Sequence, residues 1–278
     1  MTHQFMRDPV AGNILWMTDG HTEIRIALDF GPRILHLSCL GMENLFYVQP
    51  TDGSDSFVTE HGWKLRGGHR FWLSPESDLS YYPDNAPVTY TLLPNGVELL
   101  QAPDPWLQVQ KSLRVIFQEN GAVELIHKVK NLSHHPLNAA LWGINTLAPG
   151  GKAKIPFSGS KPGDYTPRRT LAIWADTDLG DPRIAFSKNS LSVQHAPSDD
   201  YFKIGMFCKD GFAIFENKLQ RFELYFSADK PEHYSDFGSN FELYMNSAFM
   251  ELETLGIRHT LNPGDSACHR EIWRMERL

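Results

Sequence analysis

Two stretches of the chain concentrate side chains that do chemistry. Residues 248–256 read Ala-Phe-Met-Glu-Leu-Glu-Thr-Leu-Gly, and residues 67–76 read Gly-Gly-His-Arg-Phe-Trp-Leu-Ser-Pro-Glu. In an extended strand successive side chains alternate between faces. Met250, Leu252 and Thr254 then share one face, and Phe249, Glu251, Glu253 and Leu255 share the other. The first face suits a core. The second carries two carboxylates roughly 6–7 Å apart, from a rise of ~3.3 Å per residue. Acid–base catalysis needs a carboxylate against a substrate hydroxyl and a second group that delivers a proton elsewhere. A solvated strand face also carries glutamate pairs, but Phe249 and Leu255 beside these acids argue against full solvation.

In the second stretch, Gly67 and Gly68 permit a close backbone approach or an unusual turn. If the following residues are extended, Arg70, Trp72 and Ser74 share one face and His69, Phe71 and Leu73 the other. An arginine fork beside an indole plate grips an oxygen-rich ligand. Glu76, after Pro75, offers a further carboxylate. The bland alternative is a Gly-Gly turn with a surface arginine and a buried tryptophan. Near the C-terminal end, His269, Glu271, Trp273 and Met275 fall on one side of a predicted strand, and Cys268, Arg270, Ile272 and Arg274 on the other. This segment reads as an edge strand of mixed chemistry.

The elements that must position these residues are strands. Period-two alternation recurs around residues 23–28, 88–92, 107–117 and 123–129, with further strands expected at 171–175, 202–207, 211–216, 220–227 and 268–275. Pro94-Asn-Gly, Glu119-Asn-Gly, Lys209-Asp-Gly and Asn262-Pro-Gly-Asp mark turns between them. No segment sustains an apolar helical period. The expectation is an all-β chain, a sandwich or barrel, with residues 1–278 as one domain. Ser158–Arg169 is rich in Gly, Pro and charge and reads as a long loop.

Composition narrows the function. The net charge is −7, so a nucleic-acid partner gains no electrostatic help. Cys39, Cys208 and Cys268 are odd in number and widely spaced, which indicates neither a disulfide framework nor a zinc knuckle. Twelve histidines form no tight ligand spacing, so no metal is expected. Nucleophile-elbow and phosphate-loop motifs do not occur. No apolar run approaches a membrane span, and the start has no apolar leader. A cytoplasmic protein without membrane contact is expected.

Several of these segments resemble galactose mutarotase-like (aldose 1-epimerase) proteins. Thr22–Ser38 is similar to their first strand, Gly turn and second strand. Gly67–Glu76 stands where those proteins have a Gly-Gly-initiated substrate segment, Ala248–Gly256 resembles the Leu-Glu-Thr strand of their catalytic base, and Leu261–Trp273 resembles their closing turn and strand. Together the segments span nearly the whole chain, and the likeness is to an uncharacterised bacterial branch. The resemblance implies a large antiparallel β-supersandwich with a sugar cleft on a concave face. It also implies an isomerase that needs no cofactor and opens a pyranose ring through a glutamate base. Glu253 would be that base, with Glu251 beside it. Arg70 and His69 would hold substrate oxygens, and Trp72 and Trp142 would stack on the ring. Arg33, after the first Gly turn, is a candidate for the same cleft.

One departure stands out. In that family a histidine on a central strand protonates the ring oxygen. The matching stretch here is Leu141–Leu147, with Trp142 in the histidine's place. An indole N–H donates a hydrogen bond but is no acid. His69 and His269 are candidate substitutes. The expected ligand is a small sugar, a hexose or a sugar acid, the latter suited to Arg70, Arg168 and Arg169. The alternatives are a non-catalytic carbohydrate-binding protein and a lyase or hydrolase on the same fold. A monomer or homodimer is expected.

Overall fold

A computed structural model of the protein describes residues 1–50, 57–159, 163, 165 and 169–278. Arg168 and much of the expected 158–169 loop lie outside the described residues. The all-β expectation holds, in the form of two large antiparallel sheets.

The first sheet has eleven strands. In spatial order they are β1 (Thr2–Asp8), β2 (Gly12–Thr18), β3 (Thr22–Ala27), β4 (Arg33–Cys39), β5 (Gly68–Ser74), β10 (Leu137–Leu147), β19 (Met250–Leu255), β18 (Phe241–Met245), β15 (Phe202–Met206) and β12 (Leu171–Ile173), with β20 (His259–Leu261) pairing β10. The second has ten: β13 (Ile184–Phe186), β14 (Ser190–Gln194), β11 (Lys152–Pro156), β16 (Phe212–Glu216), β17 (Gln220–Phe226), β21 (Ser266–Arg277), β9 (Val123–Asn131), β8 (Val109–Phe117), β7 (Gly96–Leu100) and β6 (Thr89–Leu93).

Strand burial follows residue parity. In β9, Val123, Leu125, His127 and Val129 are buried while the residues between them are more open. In β21, Ala267, His269, Glu271, Trp273 and Met275 are buried in strict alternation. β21 is not an edge strand, as its mixed chemistry had implied. It lies between β17, which pairs with residues 271–277, and β9, which pairs with residues 266–273. Its exposed parity carries the charges and its inner parity faces the first sheet.

The centre of the first sheet differs. β5 and β19 are buried along their whole length, so both faces are covered. One face meets the second sheet, and the other looks into a cleft. Gly67 and Gly68 set the entry to β5. Both have positive φ, 72° and 70°. A Cβ on either would collide with a backbone carbonyl oxygen, that of Tyr47 for Gly67 and of Ile34 for Gly68. The close approach expected of this pair is therefore present.

Between the sheets, a polar network interrupts the apolar core. His69 on β5 meets His127 on β9, Nε2 to Nε2, at 2.8 Å, and its Nδ1 lies 3.0 Å from Asn145 Oδ1 on β10. His127 Nδ1 faces the His269 carbonyl at 3.2 Å. Thr254 Oγ1 on β19 donates to Glu271 Oε1 at 2.5 Å and lies 2.7 Å from His269 Nε2, while the Trp273 indole donates to Glu271 Oε2 at 2.7 Å. Gly143 on β10 leaves room for this carboxylate, because a Cβ there would strike Glu271 Oε1. The network fastens the three central strands of the first sheet to β9 and β21 of the second. Among the described residues no helix is long and apolar enough to cross a membrane.

Candidate functional site

Strand register builds the cleft floor in rows. The ladders β5–β10–β19–β18–β15 align Trp72, Trp142 and Leu255 in a first row. Arg70, Ile144, Glu253, Glu242 and Gly205 form a second. Gly68, Thr146, Glu251, Tyr244 and Lys203 form a third. Because parity is two, all of these residues point to the same side of the sheet. They underlie a cavity of about 730 Å³, whose lining also includes Trp63, Tyr81, Trp174 and Tyr201.

Two ion-pair groups cross the floor. Arg70 Nη1 donates to Glu251 Oε1 at 2.7 Å and to Thr146 Oγ1 at 3.1 Å, and Thr146 donates to the same carboxylate at 2.8 Å. The guanidinium lies 4.7 Å from the Trp72 ring centroid. Burial alone would lower the Arg70 pKa, but the Glu251 charge outweighs it and the group is held as a cation. Lys203 is shared between Glu242 at 3.1 Å and Glu253 at 3.5 Å. Its ammonium lies 4.9 Å from the Trp142 centroid and 4.8 Å from that of Trp174, within cation–π range.

Glu253 is almost wholly buried. Burial pushes its carboxyl up to about 7; the Glu251 charge adds to this, while Lys203 and Arg70 oppose it. Burial raises Glu242 well above the usual carboxyl range, with Lys203 again opposing. For Lys203, burial pulls the pKa down, but the two carboxylates outweigh it and the net direction is up. One ammonium cannot keep two buried carboxyls ionised. Glu242 Oε1 has no hydrogen-bond partner, and burial there favours the protonated form. Glu253 is then the carboxyl poised near neutral pH. Trp142 donates its indole N–H to Glu253 Oε2 at 3.0 Å, which ties the carboxyl to β10.

The structure brings together Glu253, Glu251, Arg70, Trp72, Trp142 and Glu76, all of which line the cavity. Glu76 sits at its rim and accepts from the Tyr81 hydroxyl at 2.5 Å. Four expected residues are elsewhere. His69 projects from the opposite face of β5 into the network between the sheets, as its parity dictates, and cannot hold a ligand in the cleft. His269 lies in the same network. Arg33 is fully buried, donating to the Gly67 carbonyl at 2.9 Å and to Asp84 at 2.8 Å. It supports the Gly-Gly turn from behind and is not part of the lining. Arg169 donates to the Lys188 carbonyl and stacks on Phe157, also away from the cavity.

Lys203, Tyr244, Glu242 and the aromatic rim are not anticipated from the sequence. Their signals are modest. Phe202-Lys-Ile-Gly-Met206 places a lysine inside an apolar strand, and Phe241-Glu-Leu-Tyr-Met245 alternates with period two.

His69, His127 and Glu271 present ligand atoms within 4.8 Å of one another. The histidine rings, however, meet head to head, with centroids 5.0 Å apart, which is the geometry of an N–H···N hydrogen bond. A bridging zinc would sit ~2.0–2.1 Å from each nitrogen and needs them spread wider.

No family model matches the chain, and no curated protein matches it. Solved structures do. A galactose mutarotase-like protein from Lactobacillus casei superposes with a TM-score of 0.62 at 11% identity, covering 95% of this chain and 100% of its own. One from Clostridium acetobutylicum gives 0.55 at 14% identity, covering 100% and 98%. A galactose mutarotase related enzyme from Lactobacillus acidophilus gives 0.53 at 12% identity, covering 95% and 97%. At such identities the likeness speaks for architecture and leaves the chemistry to be argued from the site. The two stacked sheets and their near-complete overlap with these structures make this chain a protein of the galactose mutarotase-like fold.

Proposed function

We propose that this protein binds a sugar in the Glu253 cleft and interconverts its anomers, as an aldose 1-epimerase or a related isomerase does. The observation that carries the reading is the Glu253–Lys203 pair. A buried carboxyl poised near 7 and an ammonium 3.5 Å from it face a cavity walled by aromatic rings. The anomeric hydroxyl and the ring oxygen of a pyranose are bonded to the same carbon. A base and an acid this close can therefore address both at once.

In the forward step the Glu253 carboxylate removes the proton of the anomeric hydroxyl. The C1–O bond to the ring breaks, and the ring oxygen takes a proton from the Lys203 ammonium. The open-chain aldehyde rotates about C1–C2. Ring closure reverses both transfers, so no net proton is consumed. Lys203 replaces the histidine that Trp142 displaces. Trp142 instead orients the base, and Trp72 with Trp142 offers the ring a stacking surface. Arg70 and Lys203 are each matched by carboxylates, which favours an uncharged hexose over a sugar acid.

Anomer exchange followed by polarimetry or NMR over a panel of aldoses tests this. Acceleration of at least one is expected. Lys203→Met should then lower the rate by roughly 10²–10⁴, the usual weight of a positioned acid. It should also move the acid limb of the pH–rate profile upward, because Lys203 holds the Glu253 pKa down. No acceleration alongside measurable sugar binding would leave a carbohydrate-binding protein. Two observations favour that second reading: the charged pairs of the floor are mutually satisfied, and Trp142 stands where a proton donor is expected.

A further inference from the structure

The cleft is larger and more aromatic than a single sugar ring requires, and eight of its rings fall into two groups; Phe57, against Trp63, and Trp174, beside Lys203, also line it. The first, Trp63, Trp72, Trp142 and Tyr81, is joined by ring contacts of 4.9–5.7 Å and adjoins Glu253. The second is Tyr47, Phe249, Tyr244 and Tyr201. Tyr47 and Phe249 are 5.1 Å apart, Tyr244 and Phe249 6.0 Å, and Tyr201 and Tyr244 6.2 Å. All eight line the same cavity.

The Arg70–Glu251 pair lies between the groups. Its guanidinium is against Trp72, and its carboxylate comes from the residue that pairs with Tyr244. Trp142 and Tyr244 are two strands and four residues apart in the ladder. At ~4.8 Å between strands and ~3.3 Å along them, their Cα atoms are roughly 16 Å apart. One six-membered ring cannot stack on both.

The second group also has a sugar-binding character. Tyr201 is 58% exposed, so its ring is open to a ligand in the cavity it lines. Asn246 and Ser247 line the same end of the cavity. Rings edged by hydroxyl and amide groups suit a pyranose, which presents C–H faces and a hydroxyl rim.

We propose that Tyr47, Tyr201, Tyr244 and Phe249 form a second subsite that takes a second pyranose ring, so that the ligand is a disaccharide or longer glycan with its reducing ring at Glu253. This rests on the sugar-binding reading above and names its substrate class. The Arg70–Glu251 pair, between the platforms, would meet the hydroxyls near the glycosidic linkage.

Calorimetric or NMR titration of the intact protein with glucose, galactose, maltose, cellobiose and lactose tests it. At least one disaccharide should bind about tenfold or more tighter than either monosaccharide, in line with one added stacked ring. Tyr201→Ala, a change at an exposed position, should reduce the ratio of disaccharide to monosaccharide affinity about tenfold. Monosaccharide binding with no gain for any disaccharide overturns the second subsite and leaves the sugar reading standing. So does a Tyr201→Ala variant with an unchanged ratio. No binding of any sugar overturns both.

Discussion

Glu253→Gln will remove the anomer-exchange activity and make the protein more stable at pH 8. The activity loss follows from the loss of the base, which is worth roughly 10²–10⁴ in rate. The gain in stability follows from linkage. Folding raises the Glu253 pKa from 4.5 to about 7. The folded protein therefore holds a proton that the unfolded chain releases between those values. Stability falls as pH rises from about 4.5 to 7, and the full cost is present above 7. Glutamine keeps an acceptor for the Trp142 N–H and carries no charge to bury. Removing the charge should restore about 1–3 kcal/mol at pH 8, and little at pH 4. Denaturant unfolding at both pH values reads this directly. In the unmodified protein the proposed anomer exchange should quicken through about pH 7 as the carboxylate forms. A glutamine variant that keeps its rate removes Glu253 from the mechanism, and one that loses stability at pH 8 contradicts the buried charge.

Acid should unfold this protein steeply below about pH 4. Burial lowers the His127 pKa to about 4 and, with the His127 charge adding, that of His269 to about 3. His69 is held well below its ordinary value for the same two reasons. A group whose folded pKa is depressed below 6.5 lets the unfolded chain bind protons first, so stability is lost as pH falls. Glu253, Glu242 and Glu271 are raised chiefly by burial and act in the opposite direction, Glu253 between about 4.5 and 7. The two sets offset each other down to about pH 4. Below that the carboxyls are protonated in both states and only the imidazole cost grows. It amounts to several kcal/mol, of the order of a domain's whole stability. Imidazole nitrogen shifts should show three neutral buried rings at pH 5, where free histidine is a cation. His127→Gln should flatten the stability profile between pH 5 and 3. Buried rings that are already charged at pH 5, or an unchanged slope in the variant, would contradict this origin.

Much of this was legible in the sequence. Alternation located β8, β9, β17, β19 and β21, and parity placed Glu251 and Glu253 together on the face opposite Leu252. The Gly-Gly turn and the shared face of Arg70 and Trp72 were equally local properties. Neighbourhood in the sheet was not. Nothing in Phe202–Met206 indicates that it lies two strands from β19 and sends Lys203 between two glutamates. His69 shows the same limit. Its parity, opposite to Arg70, was readable, but the stacking of that face on His127 depends on how the second sheet folds over. The charged pattern of β21 likewise revealed its exposed side and not its two partners.

Apart from the β18–β19 hairpin, the order β5–β10–β19–β18–β15 brings together segments separated by tens of residues to more than a hundred along the chain. Trp72 and Trp142 can pair across β5 and β10 early in synthesis, but β10 keeps an open backbone edge until residues 250–255 have been made. Contacts of such long sequence separation close slowly, and an open edge invites pairing with another chain. A polypeptide halted before residue 250 should therefore self-associate rather than bind sugar at reduced strength. Sedimentation of such a truncation would check this, and a well-behaved monomer would refute it.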